Sequence, residues 1–226
     1  VNAQNEVTGE ANPLFDLNNG GAINFVIALT PTRTTGFSGH VFLPRIECEN
    51  ADLDPIEGVN SVLVSIGDAP VPDILSIGAT PSGDGVVRIP ETGNRIGFFT
   101  AAAVNIGTGD GSAGAGEATV TVSVDTGDAA LPLTLEVCET PSTGGCITPR
   151  GVNNLTTVFE ANAAKYFAVF VRANGNATVP FDPANARVFL RFTDSTVTVR
   201  SATSAAVSAP PPAADQAPPE SAIPEG

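Results

Sequence analysis

The chain has 226 residues, of which 42% are hydrophobic, and it carries a formal net charge of −14. That hydrophobic content is too high for a disordered acidic polymer. The charge disfavours nucleic acid and anionic lipid, and no apolar run reaches transmembrane length. There is no Trp or Met, and His40, Lys165 and Tyr166 are each the sole residue of their type, so the side chains that usually carry proton transfer, metal ligation or sugar stacking are nearly absent. This argues against an enzyme and against a glycan or small-molecule ligand.

Residues 1–20 show no sustained period and read as an N-terminal arm, in which Leu14, Phe15 and Leu17 are the apolar candidates for contact with a neighbouring copy. From Ile23 the runs INFVIALT, HVFLPRIEC, NSVLVSIGD, DILSIGAT, GVVRIP and IGFFTAAAVNIG are separated by turn residues. Short apolar runs punctuated in this way predict an antiparallel β-sandwich over 21–106. Residues 107–117, GTGDGSAGAGE, are either a hinge between two modules or a long loop within one sandwich.

A second sandwich is predicted over 118–206. It opens with ATVTVSVDT, where Val120, Val122 and Val124 share one face and Thr119, Thr121 and Ser123 the other. LPLTLEVC, LTTVFE, KYFAVFVRA, ARVFLRFTD and STVTVRSAT supply further strands. KYFAVFVRA is apolar on both faces, as a central strand covered on both sides would be. Pro180 and Pro183 predict an extended corner in which Phe181 plugs the sandwich end. The Pro-rich tail, 207–226, lacks backbone donors and is predicted to run as polyproline II; Pro210, Pro211, Pro212, Pro218 and Pro219 are its candidates for packing along a neighbour.

Few constellations could carry chemistry. His40 is the only imidazole, and Gly36-Phe37-Ser38-Gly39 lacks the spacing of a nucleophile elbow. Glu47, Glu49, Asp52, Asp54 and Glu57 offer hard oxygen ligands at a density that suits calcium. A solvated acidic loop would have the same composition. No other cofactor is expected. Cys138 and Cys146 bracket a turn-rich segment that brings its ends together, which predicts a disulfide; a metal pair would need a further ligand nearby, and His40 is remote. Cys48 is left over and reads as a small buried hydrophobe. Lys165 is either a snorkelling strand-end lysine or a crosslink partner for Asn153, Asn154, Asn162 or Asn174. Asn154-Leu155-Thr156 and Asn176-Ala177-Thr178 fit the N-glycosylation acceptor pattern.

The segments ATVTVSVDTGDAALPLTLEVCE, the Cys138/Cys146 loop, VPFDPANARVFLRFTD and TVTVRSATSAAV resemble the immunoglobulin-like β-sandwich modules of secreted bacterial surface and filament proteins. The core Trp and inter-sheet cysteine spacing of antibody domains are missing. The resemblance implies an all-β, immunoglobulin-like antiparallel β-sandwich in two modules, and a role in scaffolding, adhesion or assembly. The expected function is a structural subunit of an extracellular filament, surface layer or stalk that associates with like copies, secreted through a signal peptide that has been removed. A calcium-stabilised adhesin is the alternative.

Overall fold

Val120, Val122 and Val124 are 0%, 0% and 4% exposed, so the period of two is realised in strand β8 (Ala118–Asp125), whose Thr and Ser side chains take the other face. The computed structural model describes residues 15–16, 27, 29–30, 32, 36–49, 52–53, 55–56, 59–67 and 70–213. It divides into two compact units, Val1–Gly36 and Phe37–Gly226. In the first unit the described residues belong to no strand, so the expected strand INFVIALT is not seen at Ile27, Leu29 or Thr30. Its other positions lie outside the described residues, as do Leu14 and Leu17.

The second unit is all-β. β1 (Phe37–Phe42) pairs antiparallel with β4 (Val62–Ile66), and between them β2 (Ile46–Glu47) pairs with β3 (Asp52–Leu53). The remaining strands are β5 (Ile74–Ala79), β6 (Val86–Arg88), β7 (Ile96–Asn105), β8, β9 (Leu133–Thr140), β10 (Asn154–Phe159), β11 (Ala164–Ala173), β12 (Arg187–Asp194) and β13 (Val199–Ser208). They form a four-stranded sheet in the order β5-β7-β11-β9 and a five-stranded sheet in the order β10-β8-β12-β13-β6. All ladders are antiparallel except β13 with β6.

The inner faces of both sheets form one core, to which β5, β6, β7, β8 and β11–β13 all contribute. Its centre is a trio of fully buried rings. Phe192 meets Phe159 edge-on at 6.1 Å and Phe167 at 5.5 Å, joining β10 and β12 of one sheet to β11 of the other.

Two modules are therefore replaced by one sandwich. β7, from the N-terminal side of residues 107–117, lies between β5 and β11, so the Gly-rich segment is a loop within a single sandwich. Its backbone explains its composition. A Cβ at Gly107 would come within 2.7 Å of Val71 O and Asp73 N, and Asp110 N and Gly111 N both donate to Glu117 O. Local glycine content signals a tight loop whether or not a domain ends there.

The tail also begins later than expected. Val207 and Ser208 complete β13, Val207 is fully buried, and Ala209 bridges to Val179. Proline starts only at 210, so the ladder is uninterrupted until then. Phe181 is 62% exposed and does not plug the sandwich end.

Candidate interaction surface

β11 is central to its sheet, and Phe167, Val169 and Val171 point into the core with no exposure. The alternation of side chains puts Tyr166, Ala168 and Phe170 on the opposite, outer face. No further layer of strands covers that face among the described residues, so the expectation that β11 is covered on both sides is not met there. The neighbours continue the apolar surface. β5 contributes Leu75 and Ile77, which are 55% and 71% exposed, and β7 contributes Phe98, Ala102 and Val104.

At one end of this face Phe98 and Phe170 lie 6.5 Å apart as a cross-strand pair. The Arg150 guanidinium sits 3.9 Å from the Phe170 centroid and also reaches Glu136 at 3.3 Å. A cation stacked on a ring gains from the ring quadrupole while keeping its own hydration. At the other end a shallow depression of about 270 Å³ is lined by Ile77, Ala79, Thr100, Ala102, Thr140 and Tyr166. None of these side chains carries a charge at neutral pH, in a chain whose net charge is −14. A larger groove of about 710 Å³ runs beside the turns at 125–127 and 151–154, but its Leu131, Leu133 and Leu135 already pack on the core.

The two edges of the sheet differ. Beside β9, Ile147 N donates to Glu139 O, Val137 N to Val152 O, and Glu139 N to Thr148 Oγ1, so the segment after the disulfide loop shields that edge. β5 ends the sheet order and, among the described residues, has no ladder partner on its far side. An open edge bearing large apolar side chains is a template for pairing with another chain.

The predicted disulfide is present: Cys138 and Cys146 are joined with their Cα atoms 5.6 Å apart, and Cys138 is fully buried. Closing a loop with a sequence separation of 8 restricts the unfolded chain by about 2.5 kcal/mol in the chain-entropy model. Reduction, or a Cys146→Ser exchange, is expected to lower the melting temperature by about 5–10 °C at this chain length. Thermal denaturation with and without reductant measures it, and an unchanged midpoint would show that the loop is held by its backbone bonds alone.

Other candidate residues are scattered. Glu47 pairs with Arg45 at 3.3 Å, both well exposed, and stands opposite Asp52 in the β2–β3 register; Glu49 is exposed. Asp54 and Glu57 lie outside the described residues. Among the described residues no group of three or more His, Cys, Asp or Glu is placed to hold a metal ion. Cys48 is exposed, contrary to the expectation of burial, since it follows the two-residue strand β2 and, among the described residues, belongs to neither sheet of the sandwich. His40 is an exposed residue of β1 with its ring edge-on to Phe37 at 5.9 Å. Lys165 meets Glu139 at 2.7 Å rather than an asparagine. Asn154 is exposed at the start of β10 and Asn176 is exposed in the turn after β11.

Phe15 is partly exposed. Pro210, Pro211 and Pro212 leave the sandwich beside a clamp that sequence reasoning missed. Arg95 has 7% exposure and donates to Gly175 O, Ala177 O and Pro210 O, and Ala213 N donates to Glu91 O. The first tail residues are thus fixed to their own sandwich. Pro218 and Pro219 lie outside the described residues.

No family model matches the chain, and none of the curated proteins matches its sequence. Among solved structures, the N-terminal domain of PorA is similar over 60% of this chain and 97% of its own length, with a TM-score of 0.36 and 10% identity. A likeness of that size carries no functional argument. The class that the fold defines is an all-β sandwich stapled by one disulfide.

Proposed function

We propose that this chain is a non-enzymatic structural module of an extracellular assembly, in which copies associate through the outer face of the β5-β7-β11-β9 sheet. The observation that carries the reading is β11: its sequence is apolar on both faces, yet among the described residues no strand layer lies over the outer one. A partner layer would complete the burial that this pattern signals. The disulfide supports an oxidising compartment outside the cytoplasm. The uncharged depression at one end of the face and the mutually paired Arg150 and Glu136 at the other support self-association, since two copies carrying −14 each repel except where their contact surfaces are neutral.

Light scattering over a concentration series, with negative-stain microscopy, tests this. The native chain is expected to form multimers. Phe98→Asp places a carboxylate on the aromatic end of the face and is expected to raise the concentration needed for association at least about tenfold, the equivalent of 1.4 kcal/mol. Because Phe98 is 45% exposed, its melting temperature in the monomer should stay close to that of the native chain. A native chain that remains monomeric at every concentration would refute the reading.

A further inference from the structure

We infer that the sandwich is a tensile link, in which β7 carries load between the point where the chain enters and the point where it leaves. This function is additional to the association proposed above and does not require it. Two buried polar side chains point to it. Arg95 Nε and Asn105 Nδ2 each lie buried without a hydrogen-bond partner among the described residues. An unpaired buried polar group costs free energy and calls for an explanation in what its other atoms do.

The two residues mark the two ends of one strand. β7 spans Ile96–Asn105, and Arg95 stands immediately before it. At one end Asn105 Oδ1 accepts from Asp73 N at 3.0 Å and from Gly107 N at 3.1 Å, and Ile106 N donates to Asp73 O. Asp73 directly precedes β5, so this clasp fixes the chain where it enters the sandwich. At the other end Arg95 donates to Pro210 O and Ala213 N donates to Glu91 O, which fixes the chain where it leaves. Arg95 does so with a φ of 48°, a left-handed conformation unfavourable for a residue with a Cβ. Ten residues of extended strand set the clasps about 30 Å apart.

Strand direction agrees with this placement. Ile74 pairs with Asn105 and Ala79 with Thr100, so β5 runs from the entry clasp towards the exit clasp. β13 runs the same way. Its Ser201 Oγ lies 2.7 Å from Ser76 Oγ, and a Cβ at Gly78 would sit 3.0 Å from Thr203 Oγ1. Tension between the two sides of the sandwich therefore draws β5 and β13 lengthwise in opposite directions. β5 is bonded along its length to β7, and β13 to β12 and, at its exit end, to β6. Ladder bonds stand across the strands, so lengthwise tension loads them together, whereas a pull across one end breaks them one after another.

Single-molecule force spectroscopy on the full chain tests this. One handle is attached at the C-terminus and the other at the exposed Cys48 thiol, on the entry side. For comparison, Cys48→Ser with Asn176→Cys moves the second handle to an exposed turn whose Gly175 O and Ala177 O accept from Arg95 at the exit end. At equal loading rate the first geometry is expected to withstand about twice the force of the second. Asn105→Ala removes the entry clasp. It is expected to unfold roughly tenfold faster under load in the first geometry and at the native rate in the second. Equal forces in the two geometries, or an Asn105→Ala effect of the same size in both, would overturn the tensile function. The comparison of geometries needs no core substitution, so it decides the outcome even if Asn105→Ala does not fold. Both readings come from single chains and are separate from the association experiment.

Discussion

Replacing Phe192 with alanine is expected to lower the stability of the sandwich by about 3–5 kcal/mol, with a fall in melting temperature of about 6–20 °C. The ring is fully buried and meets both other members of the aromatic trio edge-on, at 6.1 Å and 5.5 Å, while those two stack on each other at 6.2 Å. Its removal costs the transfer energy of the side chain and leaves a void that strands on two sheets cannot collapse together. With no Trp in the chain, nothing larger can share the load. Total stabilities of folded domains are about 5–15 kcal/mol, so this single change removes about a fifth or more of the total. Phe98→Ala, on the outer face, is the control and should shift the midpoint little. Equal effects at the two positions would mean that the core is not centred on the trio.

What could be read from the sequence was whatever a local period decides. The Val and Thr alternation of ATVTVSVDT assigned each side chain to a face correctly, and the bracketed cysteines announced their bond. Strand partnership is not local. β7 and β11 are separated by the Gly-rich loop and three intervening elements, β8, β9 and β10, yet they lie side by side, and nothing in either run names the other. The same limit hid the Arg95 clamp, whose acceptors are 80, 82 and 115 residues away. KYFAVFVRA shows a third kind of limit. A doubly apolar strand signals that both faces are to be covered, but the pattern is the same whether the second cover comes from the same chain or from a neighbour.

Asp194→Ala is expected to cost about 3–5 kcal/mol, because it leaves the Arg200 guanidinium buried without its anion. Asp194 Oδ2 accepts two bonds from Arg200 at 2.6 Å, and the two side chains are 0% and 5% exposed. Its Oδ1 accepts from Thr196 N, Thr196 Oγ1 and Thr198 N, which holds the β12–β13 turn with Val197 at φ 65°. That left-handed conformation is strained for a β-branched residue, and the three bonds offset the strain. Arg200 also donates to Ser65 Oγ, which accepts from Gly39 N, so the same pair ties the β1–β4 ribbon to the sandwich. Exchanging both partners, as in Asp194→Ala with Arg200→Met, should therefore recover part of the loss within the sandwich but not the contact to Ser65.

The pair also contributes to the acid dependence of the fold. Burial works against the Asp194 charge, but the bonds from Thr196, Thr198 and Arg200 outweigh it and hold the carboxyl below its ordinary value. A carboxyl depressed in the folded state binds its proton more readily when unfolded. Its contribution is therefore complete above the ordinary carboxylate pKa of about 3.9 and is lost as pH falls through the lower folded value. The stability difference between the native chain and Asp194→Asn should be constant from neutral pH down to about pH 5 and shrink below about pH 4. Denaturant melts of the two proteins across that range measure it. A difference that already declines between neutrality and pH 5 would assign the titration to another group.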